Sequence, residues 1–134
     1  MLIRNILEES VRKFDEVKAV KWLNKKEIME RSYGELMENV VSTRKGLLAE
    51  GFEGKHIALI GTSSVEWMES YLGIITGCTT AVPLDAALPC EDLIDLLNRS
   101  DSVALFLSPK LRPYLDAFLE NCPKLQTVSY THLR

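Results

Sequence analysis

Residues 56–67, HIALIGTSSVEW, join a short apolar run to a segment with helical spacing. Residues 57–60 are apolar throughout, Gly61 ends the run, and three hydroxyl residues follow at 62–64. An apolar run of this kind is typical of a strand that is buried on both faces of a parallel sheet. Hydroxyl residues at a helix N-terminus can hold a phosphate group or cap the helix. The neighbouring segments must decide between these two roles.

Downstream of this stretch, predicted strands and helices alternate. A helix at about 63–77 precedes a strand at 79–82, and further strands are predicted at 103–107 and 125–128. Pro89 suits the first position of a helix with Glu91 and Asp92 in its first turn. Another helical segment begins at 108–109, and Pro113 delays its regular part. The pattern predicts an α/β fold, with a mostly parallel sheet and helices on both faces.

Upstream, the pattern predicts a helix and a β-hairpin. Residues 2–14 have apolar positions at helical spacing, and strands at 19–23 and 28–31 flank a polar turn. Ser32 and Glu35 then form S-x-x-E, the sequence of a capping box. A helix at 33–50 follows, with Gly51 as its C-terminal cap.

Composition excludes several classes of protein. With 134 residues, 46% hydrophobic and 26% charged, the chain is long and apolar enough for one folded domain with a core. The net charge is −3 and no Lys/Arg stripe is present, which argues against a nucleic-acid partner. The apolar runs are too short for a transmembrane segment, and the N-terminus does not resemble a signal peptide.

Cys78, Cys90 and Cys122 contain no C-x-x-C spacing. Their odd number argues against a disulfide framework, and their spacing argues against a zinc site. We expect buried free thiols in a reducing compartment, and therefore a cytoplasmic protein.

Two motif matches fail on spacing or context. The segment at 51–56, GFEGKH, lacks the first glycine and the Ser/Thr of a P-loop, and it precedes a strand instead of following one. The segment at 61–65, GTSSV, has Val65 where the nucleophile elbow of hydrolases needs glycine.

Two further features have structural explanations that we favour over ligand binding. The helix at 63–77 is apolar on most sides, which predicts a core helix, and Gly73 in its interior predicts close approach of a neighbouring element. Asp85 follows a strand at the edge where α/β proteins bind ligands. We expect its carboxylate to bond its own backbone in a turn.

The chain from 19 to about 128 resembles the N-terminal part of the adenylate-forming acyl-CoA synthetases. The features that carry the resemblance are specific in combination: Tyr33-x-Glu35-Leu36, Gly51, Ser64-x-Glu66-Trp67, Gly77, Ala81-Val82-Pro83-Leu84-Asp85, Pro89-x-Glu91 and a strand after Ser100. The pair Glu66-Trp67 and the run at 82–85 are most similar to the fatty-acyl branch.

The resemblance implies an enzyme that joins a carboxylate to ATP and transfers the acyl group from AMP to coenzyme A, with Mg²⁺. The phosphate-gripping loop, the adenine and ribose contacts and the catalytic Lys of this family have no counterpart in the chain. We therefore expect an inactive N-terminal fragment without catalytic, cofactor-binding or metal-binding residues, and a capping role for residues 62–64.

The resemblance also implies a partial large domain at 1–128, with a boundary between two sheets near 51–54. Residues 129–134, SYTHLR, resemble a peptide translated from adapter DNA, and we expect a poorly ordered, non-native tail. Two alternatives stay open: an adenylation domain of a peptide synthetase, and a stand-alone non-catalytic α/β interaction module.

Overall fold

The computed structural model describes residues 2–130, and its elements follow the predicted order. In chain order they are α1 (Ile3–Phe14), β1 (Lys18–Asn24), β2 (Glu27–Ser32), α2 (Tyr33–Ala49), β3 (His56–Ile60), α3 (Val65–Thr76), β4 (Thr80–Leu84), α4 (Cys90–Arg99), β5 (Ala104–Leu107), a 3₁₀ helix (Pro109–Tyr114), α5 (Leu115–Asn121) and β6 (Thr127–Tyr130). Within these described residues, every helix is too short or too polar to cross a bilayer.

The strands form two separate sheets. β1 and β2 make an antiparallel hairpin, whereas β3 to β6 make a parallel sheet in the order β4-β3-β5-β6. In register, Ile57 of β3 lies between Ala81 of β4 and Ala104 of β5. The predicted α/β class is confirmed, including the helix and hairpin that precede the sheet.

Both faces of the parallel sheet are covered by helices. On one face, α4 and α5 bury a cluster that includes Leu93, Leu97 and Phe118 against Ala58 and Leu105. On the other face, Leu47 and Ile74 from α2 and α3 pack with Phe52, Ile57 and Ala104. Alternate residues of β3 and β5 therefore serve two cores, as the apolar strands predict.

The capping box predicted at the start of α2 is confirmed. Ser32 Oγ accepts from the Glu35 amide at 3.1 Å, and Glu35 Oε1 accepts from the Ser32 amide at 3.4 Å. At the other end, Gly51 follows the helix with φ +77°, a left-handed conformation that favours glycine. Both signals lie within a few residues of the helix they limit, which is why the sequence alone reveals them.

The close approach predicted at Gly73 is also confirmed. A Cβ at this position of α3 would lie 2.6 Å from Thr43 Cβ and 3.1 Å from the Val40 carbonyl oxygen, both in α2. Only a glycine lets the two helices meet at this distance without a shift.

The last strand differs from its prediction. β6 extends to Tyr130, and Ser129 and Tyr130 pair with Phe106 and Leu107 of β5. The expectation that 129–134 is poorly ordered is therefore wrong for Ser129 and Tyr130, because the β5 ladder and the core contact of the Tyr130 ring extend the strand. Residues 131–134 lie outside the described residues, and the non-native origin of 129–134 stays a prediction.

Two smaller predictions need correction. Pro89 occupies the N-cap of α4 instead of its first helical position, with extended ψ of 151°. Cys78 is exposed and Cys90 is partly exposed, so that Cys122 alone matches the expected buried thiols. Cys78 lies in the turn after α3, outside both core clusters.

The boundary near 51–54 stays a prediction, although Leu47 and Ile57 on either side of it share one core.

Candidate functional site

The carboxyl ends of β3 and β5 form the part of the sheet where ligands bind in many α/β proteins. The chain leaves β3 toward β4 on one side and then returns across the sheet to β5 on the other. This reversal creates a topological switch point beyond Ile60 and Leu107.

Protein atoms pack closely beside this switch point. The Ser108 amide donates to the Ile60 carbonyl at 2.9 Å, which ties the two strand ends together. A Cβ at Gly61 would lie 3.1 Å from Ser108 Cβ and 3.5 Å from Trp67 Cδ1. Gly61 therefore allows the turns after β3 and β5 to approach each other.

One of the three hydroxyl residues at 62–64 caps a helix, as expected. Ser64 is the N-cap of α3, and its Oγ accepts from the Trp67 amide at 3.0 Å. Thr62 and Ser63 are exposed beside it. The hydroxyl of Ser64 satisfies one of the free N–H groups of the first helical turn.

Asp85 bonds its own turn, as expected. Its Oδ1 accepts from the Ala87 amide at 2.9 Å, and its carbonyl accepts from the Leu88 amide at 3.2 Å. This is an Asx turn between β4 and α4, and the side chain is exposed.

Cysteine and histidine side chains are common metal ligands, and cysteine is also a common nucleophile. Among residues 2–130, no group of three or more His, Cys, Asp or Glu side chains could hold a metal ion. Burial raises the pKa of the Cys122 thiol, with a smaller contribution from Cys90. Cys122 is therefore a poor nucleophile. His56 places Nδ1 at 2.7 Å from the Ser100 carbonyl, so that this contact fixes its ring.

The parallel sheet carries an open cavity of about 410 Å³ on the side of α2 and α3. Its floor comes from β5 and β6, where Ala104, Phe106, Thr127 and Ser129 point toward α2 and α3. Its walls include Asn39 of α2 and Glu66 and Glu69 of α3. The floor of the cavity is therefore mixed, with two apolar and two hydroxyl side chains, and its wall carries carboxylates.

The structure contains a cluster of three polar side chains that the sequence did not predict. Arg31 of β2 donates to Glu69 of α3, and Asn39 of α2 donates to the second carboxylate oxygen at 2.6 Å. The Arg31 guanidinium also lies 5.2 Å from the centroid of the Trp22 ring. A signal was present, because Glu69 interrupts the apolar spacing of a helix that was predicted to be buried on most sides.

Comparison with known proteins gives the family. The sequence profile of the AMP-binding enzyme family matches residues 7–133. No match was found among curated proteins.

Solved structures give the fold. The anthranilate CoA ligase AuaEII, in complex with anthranoyl-AMP, is 18% identical, with a TM-score of 0.85 over 97% of this chain and 25% of the ligase. The N-terminal domain of FACL13 from Mycobacterium tuberculosis is also 18% identical, with a TM-score of 0.85 over 97% of this chain and 34% of that domain.

A third structure, a Mycobacterium tuberculosis fatty acyl CoA synthetase, is 18% identical and has a TM-score of 0.84 over 96% of this chain and 26% of the synthetase. The chain thus spans 25% to 34% of the length of these three structures. The profile match covers nearly the whole sequence, and the chain belongs to the AMP-binding enzyme family.

Proposed function

We propose that the chain is the N-terminal part of an ATP-dependent acyl-CoA synthetase. The observation that carries the proposal is the family match over residues 7–133, together with the short span of the chain on its structural neighbours. The longer protein would activate a carboxylate as an acyl-adenylate and then form a thioester with coenzyme A. Its cofactors would be ATP, Mg²⁺ and coenzyme A.

We assign no step of this reaction to a residue of the chain. The turn at 62–64 is the segment most similar to a phosphate-binding turn, but its Ser64 hydroxyl already accepts from the Trp67 amide. The carboxylates of Glu50 and Glu66, which line the cavity, would repel a triphosphate. The fit of ATP to the described residues is therefore poor, and we expect the chain alone to be inactive.

We further propose a long-chain fatty acid as the carboxylate substrate and the cytoplasm as the location. Support comes from Glu66-Trp67 and the run at 82–85, which are most similar to the fatty-acyl branch. A fatty acyl CoA synthetase is also among the structural neighbours, but its low identity bears on the fold alone.

Pyrophosphate release tests the proposal. The chain and the longer product of its gene are each incubated with ATP, Mg²⁺, coenzyme A and fatty acids of several lengths, beside a control without protein. We expect release from the longer product alone, and only when a fatty acid is present.

Each other outcome has a defined meaning. Release by the chain alone would contradict the inactive fragment. Release that depends on amino acids, instead of fatty acids, would identify a peptide-synthetase adenylation domain. A gene that ends near residue 128 and yields no release with any carboxylate would favour the non-catalytic module.

A further inference from the structure

We propose that the buried pair Arg31–Glu69 is a latch that holds the β1–β2 hairpin against α3. When the latch is broken, the hairpin opens as a unit, separately from the parallel sheet. This inference does not depend on the proposed function.

The latch joins three elements through one carboxylate. Arg31 is 8% exposed and Glu69 is 4% exposed, so that both charges are removed from water. Glu69 accepts from Arg31 of β2 through one oxygen and from Asn39 of α2 through the other. Because Arg31 also lies over Trp22 of β1, the contact fixes both strands of the hairpin.

The outer part of the hairpin has little other support. Leu23 and Ile28 face each other across the strands and are 69% and 71% exposed. Lys21 and Glu30 form a second ion pair, but their side chains are 65% and 38% exposed. A two-stranded hairpin is marginally stable by itself, so its order depends on how it is docked.

The two core clusters do not depend on the latch. Their buried members begin at Leu47 and include no residue of α1, β1 or β2. Loss of the pair therefore removes the docking of the hairpin while the contacts around β3 and β5 remain. Removing one partner of a buried pair leaves the other charge uncompensated, whereas an exposed pair contributes little.

Opening of the hairpin would also alter the cavity beside it. Glu69 and Asn39 line the cavity of about 410 Å³, and their orientation is held by the same hydrogen bonds. The latch therefore couples the position of the hairpin to the shape of that wall.

Amide hydrogen exchange on the full chain tests the latch. The readout compares amides of residues 20–31 with amides of residues 57–60 in β3. We expect Glu69→Gln to accelerate exchange in the hairpin roughly 100-fold, which corresponds to about 3 kcal/mol at 1.36 kcal/mol per tenfold. Exchange in β3 should stay within about threefold.

Glu30→Gln provides the matched control, because it neutralises the exposed pair on the same hairpin. We expect a change of less than about threefold in both segments. Equal acceleration in the hairpin and β3 by Glu69→Gln would show that the pair supports the whole fold, and would overturn the proposal. An unchanged hairpin would overturn it as well.

Asn39→Ala decides the question if Glu69→Gln does not fold. This variant keeps the ion pair and removes one hydrogen bond from the Glu69 carboxylate. Faster exchange in the hairpin than in β3, by about fivefold or more, supports the latch. The same change in both segments, or none in either, contradicts it.

Discussion

Short side chains at helix ends determine where two of the helices begin. The hydroxyl oxygens of Ser32 and Ser64 each accept a hydrogen bond from the amide three residues later in the chain. The Glu35 carboxylate in turn accepts from the Ser32 amide. These groups satisfy N–H donors that have no partner inside the helix. Each bond is local, so its energetic contribution can be measured by a single substitution.

Ser32→Ala should destabilise the chain by about 0.5–2 kcal/mol at neutral pH, because the cap of α2 is lost. Bonds to the Ser32 side chain and backbone lower the pKa of Glu35 below its usual 4.5. A carboxylate whose pKa is lower in the folded chain than in the unfolded chain stabilises the fold at pH values above its unfolded pKa. This stabilisation is lost as the pH falls through the folded pKa.

The cost of Ser32→Ala should therefore be largest above about pH 4.5 and should shrink at lower pH. Urea unfolding of both proteins across this range measures the difference. Ser42→Ala is the control, because Ser42 is exposed in the middle of the same helix. A cost that is independent of pH would show that the Ser32 hydroxyl does not stabilise the ionised Glu35 carboxylate.

Gly73→Ala should destabilise the chain by about 1–3 kcal/mol, since the new methyl group would overlap Thr43 in α2. Gly46→Ala offers a matched comparison in another helix, because a Cβ there meets no atom within 4 Å. We expect Gly46→Ala to stabilise the chain by about 0.5–1 kcal/mol through helix propensity. Equal shifts of the two midpoints in urea would contradict the close contact of α2 and α3.

At the scale of elements, β6 depends on contacts with β5 and with the core beneath it. Four register pairs join the two strands, from Ala104 with Thr127 to Leu107 with Tyr130. The side chains of Val128 and Tyr130 pack against the cluster under α4 and α5, and the open cavity is lined by Thr127, Ser129 and Tyr130. One face of this strand therefore carries most of its apolar contact.

Tyr130→Ala tests whether the end of β6 belongs to the fold. Because the ring is partly buried against the core, we expect a loss of about 1–3 kcal/mol in the free energy of unfolding. Leu119→Ala is the control, since Leu119 is 52% exposed on α5, and its effect should stay within about 0.5 kcal/mol. If Tyr130→Ala has no greater effect than the control, the strand ends before the residue that the structure places in it.

At the scale of the whole molecule, the two clusters share one sheet. Ala58 and Leu105 face α4 and α5, while Ile57 and Ala104, their neighbours in sequence, face α2 and α3. A change in either helical layer therefore acts on strands that also support the other layer.

Leu97→Ala and Ile74→Ala lie on opposite faces and should each cost about 2–5 kcal/mol. In each variant, loss of far-UV circular dichroism and exposure of the buried Cys122 thiol should occur at the same urea concentration. Leu48→Ala, at a residue that is 44% exposed, should leave the midpoint nearly unchanged. Exposure of Cys122 at a lower urea concentration in Leu97→Ala alone would show that the two layers unfold separately.

Local sequence patterns were sufficient for most elements. The capping box at Ser32, the apolar run at 57–60 and the prolines around α4 and the 3₁₀ helix each act within about one helical turn or one strand. The prediction failed where a neighbour distant in sequence decides the outcome. The last strand reaches Tyr130 because β5, more than twenty residues earlier, offers Leu107 as its partner.

By itself, then, the sequence determined the order of helices and strands, the cap at Ser32, a capping role within residues 62–64, and a resemblance to the adenylate-forming enzymes. Spacing of apolar residues and hydrogen bonds between near neighbours are properties of a single segment. Only the tertiary structure decided the strand order β4-β3-β5-β6, the open cavity and the contact of Arg31 with Glu69. Those two charges are 38 positions apart in the sequence. Because both are buried, each needs the other to compensate its charge.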